Sequence, residues 1–314
     1  MPVPIPRWQQ FIGWGKESAW NTPVAVTTFW PLPVNPKHRP RFEKIEDDGL
    51  RGTAARLQAW YQGVGWTDVD YSGMNFYPDD SGVFLMALLG TDAVTGVGPF
   101  THTMTLLNTA YPPSYTGARF TGLAATAEQV GGIYATELTL KFVNPGKLTV
   151  DVKGKGVIQG TVTKPTNVYS TQQILLPWQG SLTLGGLANV KLLSGTISLK
   201  RTNDQIFGLA NQQSANASNV DQITVDGKLE FWSSDMTELN YWLNNTQPTT
   251  SLLFTSGTNT MTLQMTKTAF SDPTELDTGT PYWRTQASFE AVANATDGSA
   301  PLKVILVNPR STSY

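Results

Sequence analysis

Two histidines, His38 and His102, are the only imidazoles in the 314 residues, and there is no cysteine. Without thiols, disulfides, thiolate catalysis, Cys-ligated zinc and iron–sulfur clusters drop out together. A hydrolase triad needs a serine on a sharp turn near a histidine, and no Gly-x-Ser-x-Gly segment exists to pair with His102. His38 stands in Lys37-His38-Arg39-Pro40-Arg41, which reads as a solvated basic loop. The carboxylates cluster as Glu46-Asp47-Asp48, Asp68/Asp70 and Asp79-Asp80. A glycosidase would need two of them facing across a cleft, a geometry that spacing leaves open. Asp79-Asp80 is explained more simply as a helix start, where acids meet free amide donors. Asp68 and Asp70, two apart, share one face of a strand and point to solvent. No phosphate loop, EF-hand spacing or dinucleotide fingerprint is present. No cofactor or metal is expected.

The elements that would position any site are mostly strands. Only 15% of the residues are charged, while 41 are Thr, 28 Gly and 20 Pro. This composition favours strands and turns, and excludes a helical bundle or a disordered chain. Net charge is −2, and neither half is basic, so tight gripping of a nucleic-acid backbone is not expected. No signal-peptide pattern or apolar run of membrane length is visible, which predicts a protein kept in the cytoplasm. Leu138, Leu140 and Phe142 alternate with polar residues, and Leu148, Val150 and Val152 do the same after Asn144-Pro145-Gly146. That spacing predicts a hairpin with one apolar face, turning through a type II turn with positive φ at Gly146. Similar runs fall at 181–184, 190–200, 222–231 and 258–266.

Two short amphipathic helices are predicted. One follows Pro78-Asp79-Asp80-Ser81, carries Leu85, Leu88 and Leu89, and stops at Gly90. The other follows Ser234-Asp235, with Glu238 as its capping-box partner, and carries Leu239, Trp242 and Leu243. Gly73, Leu85 and Leu89 recur as Gly227, Leu239 and Leu243, and Thr103-Met104-Thr105-Leu106 recurs as Thr260-Met261-Thr262-Leu263. The recurrence implies two copies of one β-rich domain, 1–160 and 161–314, joined within 156–165. The first forty-odd residues hold Trp8, Trp14, Trp20 and Trp30 without periodicity. They read either as an arm (about 1–42) lying on another surface, or as a first strand with a long loop folded on its own domain.

The segment Ile12-Gly13-Trp14-Gly15-Lys16-Glu17-Ser18-Ala19-Trp20-Asn21-Thr22-Pro23-Val24 resembles the opening signature of the tail tube proteins of long-tailed bacteriophages. The likeness continues through Glu46-Asp47-Asp48-Gly49-Leu50-Arg51-Gly52, Ala87-Leu88-Leu89-Gly90, Thr101–Leu106, Pro177-Trp178-Gln179 and Gly227-Lys228-Leu229-Glu230-Phe231. Asn21 departs from it, standing where glycine is usual before Thr-Pro.

That resemblance implies a mainly β fold of two tandem β-sandwich or barrel domains, each flanked by a short helix, with an extended N-terminal arm. It implies a structural virion protein with no catalysis. Trimeric rings of pseudo-six-fold symmetry would stack into a tube, meet tape-measure and tail-tip or terminator proteins, and conduct DNA without binding it. Assembly would take place in the host cytoplasm. Trp8, Trp14, Lys16, Glu17 and Trp20 of the arm, with Glu46, Asp48 and Arg51, are the expected assembly residues. The competing reading is a carbohydrate-binding β-sandwich of a baseplate or glycosidase, whose tryptophans would gather on a concave sheet face.

Overall fold

The computed structural model describes residues 9–31, 36–49, 51–52, 57–122, 125–158, 160–189, 191–209, 212–232, 237–276, 282–297 and 300–314. In chain order the elements begin β1 (Phe11–Lys16), β2 (Thr28–Pro31), β3 (Lys37–Asp47), β4 (Ala59–Asn75), α1 (Gly82–Leu89), β5 (Ala93–Thr95) and β6 (Phe100–Met104). Next come β7 (Tyr115–Phe120), β8 (Thr126–Val143), β9 (Thr149–Gly156), β10 (Gly160–Thr163), β11 (Ser181–Leu184) and β12 (Leu187–Asn189). The rest are β13 (Leu192–Ile206), β14 (Ala217–Trp232), α2 (Thr237–Leu243), β15 (Thr250–Ser256), β16 (Asn259–Met265), β17 (Thr268–Leu276), β18 (Arg284–Ala291) and β19 (Lys303–Asn308).

These strands build two sheets, one of twelve strands and one of seven. The large sheet forks at β8. The C-terminal part of that strand pairs with β9 on one side and β13 on the other, while its N-terminal part pairs with β7 and β10. Gly131-Gly132 lies between the two parts, and Gly132 takes φ +60, which glycine adopts freely. One run therefore reads β3-β4-β9-β8-β13-β14-β18-β17, with β3 and β17 each paired on one side only among the described residues. The small sheet runs β12-β11-β15-β16-β19-β6-β5.

Period-2 alternation sets the layers. Leu138, Leu140, Val150, Val152, Ile197, Leu199, Val225 and Leu229 are completely buried on one face of the large sheet. They share a core with Leu252, Met261, Leu263, Val304 and Leu306 of the small sheet. The order hairpin, short helix, hairpin, hairpin occurs twice, as β3-β4-α1-β5-β6-β7-β8 and β13-β14-α2-β15-β16-β17-β18. Both sheets draw strands from both series, and β19 lies between β16 of the second and β6 of the first.

Several expectations change in the folded chain. Residues 11–16 and 28–31 are strands of the large sheet, so the described part of the predicted arm belongs to the protein's own core. Trp14 and Trp30 are buried because both pack on Phe84 of α1. His38 is also buried, its Nε2 2.6 Å from the Tyr71 hydroxyl, and burial lowers its pKa to about 3. The basic neighbours that suggested solvent point the other way on β3. The 138–153 hairpin forms, but its turn carries a cis Asn144–Pro145 bond in place of a positive-φ Gly146. Helix α1 ends as expected at Gly90, with φ +94 and its N–H bonded to the Met86 carbonyl. It is not amphipathic: all eight residues are buried, because α1 touches β8 and β13 of one sheet and β6 of the other. The capping-box residues Ser234 and Asp235 lie outside the described residues.

Candidate assembly and conduit surface

The expected assembly residues separate into two groups. The first braces the chain internally. Glu17 is buried and accepts hydrogen bonds from Ser114 Oγ (2.7 Å), Thr116 Oγ1 (2.8 Å) and the backbone N–H groups of Gly132 (2.9 Å) and Asn21 (3.0 Å). Four donors on one carboxylate tie the loop after β1 to β7 and β8. Trp20 Nε1 donates to the Gly132 carbonyl at 3.1 Å. Trp14 donates to the Tyr71 hydroxyl at 3.4 Å. Lys16 Nζ donates to the Tyr314 carbonyl at 2.9 Å, and burial lowers its pKa. Asn21 takes φ +56, a left-handed conformation that glycine adopts best and asparagine tolerates, which accounts for either residue before Thr-Pro. Trp8 lies outside the described residues.

The second group projects. Glu46, Asp48 and Arg51 sit at the tip of the β3–β4 hairpin, where Glu46 meets Lys44 Nζ at 2.7 Å and Arg51 pairs with Asp47 of the same copy. Ile45, Trp60 and Tyr61 beside them are 55%, 56% and 59% exposed. Past the bulge at Phe42/Lys44, neither face of this hairpin is covered, unlike the base, where Val69 and Tyr71 enter the core.

Chemistry that sequence motifs did not single out lies on the polar face of the large sheet. Across its strands, Lys153 Nζ bonds Glu137 at 2.8 Å, Lys200 bonds Asp226 at 2.8 Å, and Arg41 bonds Asp68 at 3.0 Å. Lys141 pairs with Asp151, and Arg284 with Glu230, which also accepts from Ser194 Oγ at 2.6 Å. Thr139 and Ser198 bond directly across β8 and β13. The result is a wall of hydroxyls and largely paired charges, with Lys228 and Glu290 outside the ion pairs. The signal was present in the polar positions of each alternating run; only register shows that acids and bases face one another.

Burial also perturbs groups away from this face. Asp80, before α1, has its pKa raised to about 7, first by burial and then by Asp79. Tyr314 is buried against the start of α1, its hydroxyl donating to the Pro78 carbonyl at 2.9 Å and its N–H donating to Asp92 at 3.1 Å. His102 is held between Asp92 (3.0 Å) and the Arg310 carbonyl (2.8 Å), with no serine in the arrangement. No group of three metal-ligating side chains occurs among the described residues, and none of their helices is long and apolar enough to cross a membrane. Among the described residues the exposed tryptophans (Trp60, Trp178, Trp232, Trp242 and Trp283) are scattered over the hairpin tip, a 3-10 turn, α2 and strand ends, not gathered on one sheet face as sugar stacking requires.

A two-sheet β protein with a wall of largely paired charges, open sheet edges and a projecting hairpin has the features of a structural building block. The family model described as phage tail tube protein matches residues 8–296, and the chain belongs to that family. It is a structural component of the phage tail. A search of curated proteins returns no significant match.

Proposed function

We propose that this protein self-assembles into rings that stack into the tail tube, the conduit through which DNA is ejected. The observation that carries this reading is the run β3-β4-β9-β8-β13-β14-β18-β17. It has two free edges and one face of largely paired polar groups. A heterologous contact that brings the β3 edge of one copy to the β17 edge of the next closes into a ring when the rotation closes. Pro40 and Pro273 interrupt the two edges and discourage indiscriminate strand addition. The twofold recurrence of element order supports reading residues 1–160 and 161–314 as fused equivalents, so that three copies give a pseudo-six-fold ring. The polar face then lines the lumen, where paired charges leave few free cations to hold phosphate. Tape-measure, tail-tip and terminator proteins are the further partners, and the assembled protein resides in the virion tail.

Negative-stain microscopy of the purified chain tests this directly. Rings or tubes are expected; a compact monomer at high concentration under every condition overturns the reading. In a gel-shift assay at about 50 mM salt, where phosphate-gripping proteins bind strongly, the assembled protein is expected to leave double-stranded DNA unshifted.

A further inference from the structure

A groove of about 1150 Å³ opens between the 106–111 segment, the first half of β14 and the residues that follow β18. Leu106, Tyr111, Val220, Ile223 and Pro301 give it an apolar lining. Arg201 of β13 lines it too and is only 8% exposed. Its Nε has no acceptor, and no acid pairs with its guanidinium among the described residues. Asp221, on the same groove, is turned to the Gln222 N–H (2.7 Å) and Thr202. Glu290 stands across from Asp226 on the polar face. The Nε is buried without an acceptor while the terminal nitrogens face the groove, and their fork suits a carboxylate brought from outside.

Sheet topology says where such a carboxylate can come from. β9 and β13 both run antiparallel to β8, so they are parallel to each other. β4 is antiparallel to β9, and β3 to β4. The β3–β4 tip and the Arg201 groove therefore lie at the same end of the sheet. Lys37, at the base of β3, is level with Lys200 and the end of β18, and the tip projects beyond that row. Where the β3 edge of one copy follows the β17 edge of another with the stagger that inclined strands of a closed ring require, the tip of the first comes to the mouth of the groove. That tip carries the exposed apolar side chains Ile45, Trp60 and Tyr61 together with Glu46 and Asp48.

We propose that the Arg201 groove receives the β3–β4 hairpin tip of the neighbouring copy, with Glu46 or Asp48 meeting the guanidinium. This rests on the ring reading and adds to it a specific lock between copies. The full chain serves for the test. Arg201→Gln and Arg201→Glu are expected to raise the protein concentration needed for assembly by about tenfold or more, the second more than the first. Glu46→Arg/Asp48→Arg is expected to fail alone and to recover assembly with Arg201→Glu. Because the chain has no cysteine, Leu57→Cys with Gln222→Cys gives a clean crosslink that leaves Arg201 in place. Under oxidation it is expected to produce a ladder of covalent oligomers, which Val97→Cys with Gln222→Cys does not. Assembly of Arg201→Gln at the wild-type concentration, or crosslinks confined to single chains, overturns the proposal while tubes still form. Wild-type protein that never assembles overturns the ring reading itself.

Discussion

Helices α1 and α2 occupy the same place in two series of elements, yet their surroundings are opposite. α1 is Gly-Val-Phe-Leu-Met-Ala-Leu-Leu and is buried throughout. α2 is Thr-Glu-Leu-Asn-Tyr-Trp-Leu, packs chiefly on β17, and leaves Trp242 and Leu243 45% and 58% exposed. The first series receives extra cover from β1 and β2, whose Trp14 and Trp30 close over Phe84. The second has no such cover among the described residues. Repetition of an element order thus does not repeat its energetics: one copy anchors the core, while the other keeps apolar surface open.

The largest way to break the contrast is to truncate the centre of α1. Phe84→Ala removes a fully buried ring and is expected to cost about 3–5 kcal/mol in a denaturant melt. Leu243→Ala is expected to stay within about 0.5 kcal/mol, as exposed positions do. Equal losses would mean that α2 is as deeply packed as α1. Next comes Gly82→Ala, whose Cβ would lie 2.3 Å from the Tyr314 ring. About 1–3 kcal/mol of overpacking is expected, shrinking in a Tyr314→Ala background when the double-mutant cycle is closed.

Smaller effects come from two titrating groups of the first series. His38 has a folded pKa near 3 against an ordinary 6.5, so the unfolded chain binds more protons and stability falls as pH drops from about 6.5 towards 3. Asp80 has the opposite sign: its pKa near 7 against 3.8 makes the folded state bind the extra proton, so its contribution is lost as pH rises from about 4 to 7. In melts across this range, His38→Gln is expected to flatten the acid limb and Asp80→Asn the limb towards neutrality. If either change leaves the profile unaltered, the burial assigned to that group is wrong.

The alternating runs at 138–153, 181–184, 222–231 and 258–266 were legible because period-2 burial is a local property, as was the stop of α1 at Gly90. The burial of His38 was not, since local charge density says nothing about which face of β3 turns inward. Nor was the role of Lys16 and Glu17, whose partners, Asn21 aside, lie from 97 to 298 residues away. The projecting tip was legible as an acidic cluster, and only the loss of cover on both faces made Ile45 and Trp60 part of it. Arg201 left no trace in sequence, because its isolation depends on four distant segments.

β19 lies between β16 and β6, joining Thr103 to Ile305 and Thr262 to the same strand. During synthesis the first half of the chain therefore waits for residues some two hundred positions downstream before its small sheet can close. Such long-range closure slows folding and leaves one edge each of β6 and β16 unpaired on any chain cut short before residue 303. A ribosome that aborts early releases a subunit without a finished core.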